Sequence, residues 1–192
     1  GQLARKLGNA LVAPVLTVVP DGRIDPPEGH MQFPGTLSVS GTTFANILED
    51  TARSLKAHGF RLICFVGDHS GSQPIQQQVA DRLTDQWDAD GVRVLQVSNY
   101  YYKNGYQDWD ERIGLKVPDP QAHAGLIETS EMMAIDAPGV RDSLVGNRTE
   151  NDYRTTGAMG DSSQASASYG RKYLSLKIEA AVKQIKNAAS SL

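Results

Sequence analysis

The hydrophobic positions of this chain alternate between helical spacing and short uninterrupted runs. Apolar residues at intervals of three and four predict helices over residues 44–58 and 74–86. Runs of aliphatic and β-branched residues predict buried strands over residues 11–19, 61–66 and 92–97. Since strands that alternate with helices form parallel sheets covered by helices on both faces, this order indicates an α/β protein.

Weaker patterns cover the rest of the chain. Residues 3–7 resemble the end of a helix, and residues 36–39 resemble a short strand. A short helix is predicted over residues 129–137, and an amphipathic helix with one apolar face over residues 167–192. Residues 147–166 are rich in Gly, Ser and Thr, which predicts a loop.

Residues 98–120 are polar but unusually aromatic. We expect an ordered loop or insertion beside a binding site, where Tyr102 and Trp109 would line the rim of the substrate pocket. A surface loop whose aromatic side chains pack among themselves explains the same pattern equally well.

The composition is that of an ordinary globular protein, with 192 residues of which 40% are hydrophobic and 21% charged. This length fits a single domain over residues 1–192. The net charge of −3 gives no electrostatic footprint for nucleic acid, and no run of apolar residues is long enough to span a membrane. The single cysteine, Cys64, cannot form an intramolecular disulfide and is expected to be a small buried hydrophobe.

The first candidate site directly follows the strand predicted over residues 61–66, where Asp68, His69 and Ser70 stand in sequence. Ligands of open α/β sheets bind at the carboxyl ends of strands, which favours metal binding or proton transfer by His69. The alternative is that this segment only caps the helix that follows.

A second candidate site combines His123 with Glu128 at the start of a predicted helix. The helix dipole favours an ionised carboxylate there, so Glu128 is a candidate general base or metal ligand. A purely structural capping role for Glu128 fits the local pattern equally well. Two further polar clusters contain His30 and residues 157–161.

Three of the four histidines, His30, His69 and His123, therefore lie in predicted loops. A divalent metal held by histidine and carboxylate ligands lowers the pKa of bound water to about 7, which amide hydrolysis at neutral pH requires. Other chemistries fit less well. The chain has neither a glycine-rich phosphate loop nor a Gly-x-Ser-x-Gly elbow, and the adjacency of Ser70 to His69 is not the geometry of a catalytic triad.

Five segments resemble, in order, the creatininase (creatinine amidohydrolase) family, and together they cover nearly the whole chain. They are His30 through Phe33-Pro34-Gly35-Thr36; His58-Gly59-Phe60-Arg61; Gly67-Asp68-His69-Ser70-Gly71; His123-Ala124-Gly125 with Glu128-Thr129-Ser130; and Met159-Gly160-Asp161. The resemblance implies a three-layer αβα sandwich with a mostly parallel central sheet. It also implies a metal-dependent hydrolase of small cyclic or linear amides, assembled as a homo-oligomer, commonly a hexamer.

Residue by residue, the resemblance makes His69 a metal ligand. Asp68 and Glu128 are further possible ligands. It makes His123 and Glu128 the catalytic pair. His30, with Ser70, is expected at the rim of the substrate pocket. The ligand set does not separate Zn, Mn and Fe, because availability decides metal identity as much as ligand type.

The chain departs from the family pattern in three places. The upstream Glu, His and Asp ligands have no counterpart, because the chain starts just after the point where they would end. Gly71 stands where creatininase has a Glu ligand, and Leu126 where many relatives have an acidic residue. We therefore expect one metal site, or an empty one. The residues around His69 resemble an exported subgroup, which would make the whole protein periplasmic; otherwise we expect it in the cytoplasm.

Two functional hypotheses follow from these observations. The first is a metal-dependent amidohydrolase; the second is a binding or scaffold protein that keeps the fold but has lost hydrolysis. A third possibility is that a separate, cleaved chain supplies the upstream ligands. The upstream segment would separate the first two, because metal ligands in it favour the enzyme. The substrate itself cannot be read from the sequence.

Overall fold

The computed structural model of the protein describes residues 1–115 and 122–192. They form two compact units, one made of residues 1–104 and 178–192 and the other of residues 105–177. The first is called unit 1 and the second unit 2. The prediction of one domain stays a prediction.

Helices and strands alternate through both units. The helices are α1 (Gln2–Leu7), α2 (Gly41–Ala57), α3 (Gln73–Trp87), α4 (Ser98–Tyr101), α5 (Tyr106–Arg112), α6 (Leu126–Ile135), α7 (Glu150–Thr156) and α8 (Ala167–Ala189). The strands are β1 (Leu62–Phe65), β2 (Arg93–Gln96), β3 (Asn147–Arg148) and β4 (Gly160–Asp161). The α/β class predicted from the sequence is confirmed.

Unit 1 is built around β1 and β2, which pair in parallel with Leu62 opposite Arg93. Successive side chains of a strand point to opposite faces of a sheet. Ile63 accordingly packs with the core residues of α2 and α3, whereas Leu62 packs with α1 and the C-terminal part of α8. Helices therefore cover both faces of this parallel pair, as the αβα prediction requires.

The ends of α2 follow the sequence signals. Ser40 is the N-cap, and its side-chain oxygen accepts a hydrogen bond from the Thr43 N–H at 3.0 Å. Gly59 follows the helix with a φ of +88°, a conformation that glycine adopts without strain. Cys64 packs in the sheet face toward α8, and burial raises the pKa of its thiol to about 11.

The strand predicted over residues 11–19 is wrong. This segment forms no strand, and only Val19 makes an isolated bridge, to Ser38. The same bridge is all that exists of the short strand predicted over residues 36–39. Leu11 is 80% exposed and Val15 is 78% exposed. The apolar run therefore has the composition of a buried strand, but in the described residues no strand lies beside it.

Two predicted loops contain regular structure. Residues 147–166 hold α7 between β3 and β4, which pair antiparallel. Thr149 and Asp152 form a capping box at the start of α7, a signal that the Gly- and Ser-rich composition concealed. Residues 98–115 contain α4 and α5, and the last part of the predicted aromatic loop, residues 116–120, lies outside the described residues.

The core of unit 2 forms around α8. Tyr173 is fully buried, and the Trp109 ring packs edge-on against it with 5.2 Å between ring centroids. Gly170 is needed at the contact between α8 and α6, because a Cβ atom there would lie 1.8 Å from the Ser130 carbonyl oxygen. No helix in residues 1–115 and 122–192 combines the length and apolar character needed to cross a bilayer.

Candidate metal centre and catalytic residues

Three side chains of unit 1 converge on one point. His30 Nδ1 lies 2.6 Å from Asp21 Oδ1, and His69 Nε2 lies 3.2 Å from the same oxygen. One ligand atom from each of the three residues lies within 4.8 Å of the other two. The side chains of Asp21, His30 and His69 are 25%, 32% and 31% exposed, so this group, called the Asp-His-His cluster, is open to solvent on one side.

The loop before α2 brings Asp21 and His30 together. The Asp21 N–H donates to Ser38 Oγ at 2.9 Å, and that hydroxyl donates to the Gly22 carbonyl at 2.9 Å. At Gly22, where φ is +127°, a Cβ atom would lie 2.1 Å from the Glu28 carbonyl oxygen, so only glycine permits this close approach. His30 lies in the 3₁₀ turn that follows, Gly29–Gln32.

His69 reaches the cluster from the other side, at the carboxyl end of β1. It has extended backbone geometry and precedes the 3₁₀ turn Ser70–Ser72, which leads directly into α3. This is the edge of the sheet where the sequence predicted a site.

The Asp-His-His cluster fits a divalent transition metal. Two imidazoles and one carboxylate are the ligand types of non-haem iron and zinc sites. Among the described residues, His69 Nδ1 is buried without a hydrogen-bond partner. This nitrogen lies away from the cluster, because Nε2 is the ring atom that faces the Asp21 carboxylate, at 3.2 Å.

The remaining predicted residues of unit 1 contribute no ligand atom to the cluster. Asp68 is absent from the group of three, and Ser70 begins the 3₁₀ turn. Tyr102 is 56% exposed, and its ring makes an edge-on contact with Tyr101 at 4.8 Å.

The predicted catalytic pair lies in unit 2. His123 exchanges two backbone hydrogen bonds with Met159, both 2.8 Å, and its ring stacks on Tyr153 with 5.5 Å between centroids. Glu128 stands in the first turn of α6 and accepts a short hydrogen bond from the Ala124 N–H. Ala124 has a φ of +54°, so this turn is held in a conformation unusual for a residue other than glycine.

Trp109, the last predicted rim residue, belongs to the aromatic core of unit 2. Besides Tyr173, its ring contacts Tyr169 edge-on at 5.5 Å.

Sequence reasoning missed Asp21 and Tyr153. Asp21 stands in Pro20-Asp21-Gly22, which the pattern assigned to a turn, and an acid in a turn needs no further explanation. Tyr153 stands in the segment that was predicted to be a loop. No signal in a single sequence connects either residue with a histidine elsewhere in the chain.

Comparisons with known proteins identify the family of the chain. The family model named creatininase, described as creatinine amidohydrolase, matches residues 1–185. The chain belongs to the creatininase family. This is a family of amidohydrolases, as the resemblance implied. No curated protein matches the chain.

Solved creatininases share the fold. A creatinine amidohydrolase (creatininase) structure has a TM-score of 0.76 and 22% identity, and the match covers 97% of this chain and 78% of that one. A creatininase mutant complexed with creatine has a TM-score of 0.76 and 21% identity over 97% of this chain and 79% of its own. A creatininase described with Mn has a TM-score of 0.76 and 22% identity, with 97% and 79% covered.

Proposed function

We propose that this protein is a metal-dependent amidohydrolase that cleaves a C–N bond of a small cyclic or linear amide. The observation that carries the proposal is the Asp-His-His cluster at the carboxyl end of β1. Family membership supplies the reaction class. The cluster supplies a ligand set suited to the metal that such a reaction uses.

In this proposal Asp21, His30 and His69 hold one divalent ion, so His30 is a ligand rather than a rim residue. When bound, such an ion polarises a carbonyl and lowers the pKa of water. Zn, Mn and Fe all accept imidazole and carboxylate ligands. Related creatininase structures include a Zn–Zn form and a Mn form, which supports the first two.

His123 and Glu128 are the proposed proton-transfer pair. The ring of His123 stacks on Tyr153, which limits rotation of the imidazole. Glu128 is exposed, and a carboxylate at this position is suited to act as a general base. We retain Ser70, Tyr102 and Trp109 as proposed substrate contacts.

A second candidate function is substrate binding without hydrolysis. The observation in its favour is that Glu128 Oε2 already accepts the Ala124 N–H, which is a capping role. Gly71, in place of the Glu of creatininase, favours the same alternative.

Hydrolysis of a panel of cyclic and linear amides, with metal content measured on the same samples, tests the proposal. We expect metal-dependent hydrolysis by the wild type and its loss in His69→Ala. His58→Ala is the matched control, since His58 ends α2 outside the Asp-His-His cluster, and it should retain activity. Full activity in His69→Ala would refute the metal role. Metal binding without hydrolysis of any amide would favour the binding function.

We also propose a homo-oligomer, a hexamer by analogy with the family. Exposed apolar residues such as Leu11 and Val15 support an assembly that covers them. Light scattering on the purified protein checks this proposal, and a monomer at micromolar concentration would contradict it.

A further inference from the structure

Four polar side chains are buried directly beneath the loop that carries His69. Ser72, Gln73, Gln76 and Gln96 are only 1%, 3%, 4% and 3% exposed. Burial of an amide is unfavourable unless its donors and acceptors are paired. Such a concentration of buried amides therefore raises the question of which groups they hold.

Gln73 holds the backbone of the loop on both sides of Asp68. Its Nε2 donates to the Gly67 carbonyl at 2.9 Å and to the His69 carbonyl at 3.1 Å. Both amide hydrogens of Gln73 are used in this way. The carbonyl of His69 also accepts a bond from the Ser72 hydroxyl at 3.0 Å.

A residue of the neighbouring strand fixes the orientation of the Gln73 amide. Gln96, the last residue of β2, donates from Nε2 to Gln73 Oε1 at 2.5 Å. An amide turned by 180° would place two Nε2 groups against each other and Oε1 against the two carbonyls. The donor from Gln96 therefore selects the orientation in which Gln73 faces the loop with its N–H groups.

The loop cannot move away from this support without breaking close packing. A Cβ atom at Gly67 would lie 2.6 Å from Gln76 Nε2, so the backbone at Gly67 lies directly against α3. Gln76 Nε2 in turn donates to Ser72 Oγ at 3.0 Å, which orients the hydroxyl that binds His69. Two chains of hydrogen bonds thus end at the carbonyl of His69.

We infer that Gln73, oriented by Gln96, is a positioning residue that places the His69 imidazole for metal binding. This inference rests on the proposed metal role of His69. Ligand side chains must be held to within about 0.5 Å of the productive geometry by the residues around them. Gln73 fixes the backbone of the ligand residue His69. Its neutral side-chain amide is occupied by the Gly67 and His69 carbonyls, so Gln73 acts through His69 and is not itself a metal ligand.

Zinc titration of the full chain by calorimetry tests the inference with two variants and one control. Gln73→Met keeps the length of the side chain but removes its donors; Gln96→Met leaves Gln73 in place and removes the group that orients it. The control is Gln184→Met. Gln184 Nε2 donates to the Gln96 carbonyl at 3.1 Å, in the same unit but without contact to the His69 loop.

We expect Gln73→Met to bind Zn²⁺ on the order of 10-fold more weakly than the wild type, as for loss of an outer-shell partner of a metal ligand. Gln96→Met should show a smaller loss, and Gln184→Met none. The absorption spectrum of bound Co²⁺ adds a readout that a merely structural role would not move. Its bands should change in Gln73→Met and stay unchanged in Gln184→Met.

The results also separate this inference from the proposal beneath it. Wild-type affinity and an unchanged Co²⁺ spectrum in Gln73→Met would overturn the positioning role while His69→Ala still loses zinc. If His69→Ala binds zinc as well as the wild type, both proposals fall. If Gln73→Met does not fold, Gln96→Met decides, and wild-type affinity in that variant overturns the inference.

Discussion

Unit 1 and unit 2 both contain buried or half-buried ionisable side chains, but the two sets have different partners. In unit 1, Asp21, His30 and His69 meet at a partly exposed point. In unit 2, Lys177 and Glu131 pair with each other inside the core. We therefore interpret the partly exposed cluster as the proposed binding site and the paired groups of the core as contributors to stability.

The Asp110–Tyr173 pair makes the same point within unit 2. Asp110 is fully buried, and its Oδ1 accepts the Tyr173 hydroxyl at 2.7 Å. Burial raises the pKa of the Asp110 carboxyl, and burial followed by the hydrogen bond that Tyr173 donates to Asp110 raises the pKa of Tyr173. Both groups therefore favour their neutral forms, which suits a packed interior rather than a metal site.

The largest effect is expected from removing Lys177, whose Nζ lies 2.9 Å from Glu131. Lys177→Met removes the ammonium partner of a buried carboxylate and should lower the free energy of unfolding by about 3–5 kcal/mol. Urea denaturation measures this loss. The double variant Lys177→Met with Glu131→Leu should recover much of the loss, and an unaffected single variant would break the stability interpretation of unit 2.

A smaller effect is expected at Tyr173. Tyr173→Phe removes the hydroxyl that Asp110 accepts and should lower the free energy of unfolding by about 1–3 kcal/mol, because the buried acceptor loses its partner. Thermal and urea unfolding of this variant provide the measurement. Stability equal to that of the wild type would show that the hydrogen bond is not needed in the core.

Asp110 also gives a pH dependence of defined sign. Because its pKa is raised in the folded state above the ordinary value of 3.8, its contribution to stability is present below that pH and is lost as the pH rises through the folded-state pKa. Unfolding free energies measured across acidic pH should therefore decline less steeply with rising pH in Asp110→Asn than in the wild type. Identical profiles would contradict this account.

The smallest effect, with the opposite sign, is expected on the surface of unit 1. Hydrogen bonds from Arg82 and then Arg53 lower the pKa of Glu49. The stabilisation by this carboxylate is present above its ordinary pKa of 4.5 and is lost as the pH falls. Glu49→Gln should cost less than about 1 kcal/mol at neutral pH and should lose little more on acidification. A loss of unfolding free energy several times larger in Glu49→Gln would contradict this interpretation of a weak surface interaction.

Local hydrophobic periodicity was sufficient to predict the helices and strands that pack against their neighbours along the chain. The strands predicted over residues 61–66 and 92–97 are confirmed as β1 and β2, and the helices around them as α2 and α3. The run at residues 11–19 has equally strong strand propensity but no strand beside it in the described residues. Propensity predicts that a segment can pair, and only the tertiary structure decides whether it does.

The sequence predicted the kind of site and its location at a strand end, but not all of the residues that form it. His69 follows a strand end, a position that a rule about parallel sheets identifies. Asp21 lies 48 residues earlier and meets His69 only because the Gly22 turn and the Ser38 hydroxyl fold its loop back. The sequence instead offered Asp68 as a possible ligand, and this residue is adjacent to His69 along the chain but contributes no atom to the Asp-His-His cluster.

That difference supplies the most direct test of the proposed metal centre. Zinc affinity is measured by calorimetry for Asp21→Asn and Asp68→Asn. The same change is thus made at the carboxylate that lies in the cluster and at the one that the sequence offered as a possible ligand. We expect Asp21→Asn to lose more than the roughly 10–100-fold that an outer-shell partner is worth, because a ligand carboxylate becomes a neutral amide, whereas Asp68→Asn should bind nearly as the wild type. Loss of zinc in Asp68→Asn with full affinity in Asp21→Asn would contradict the account.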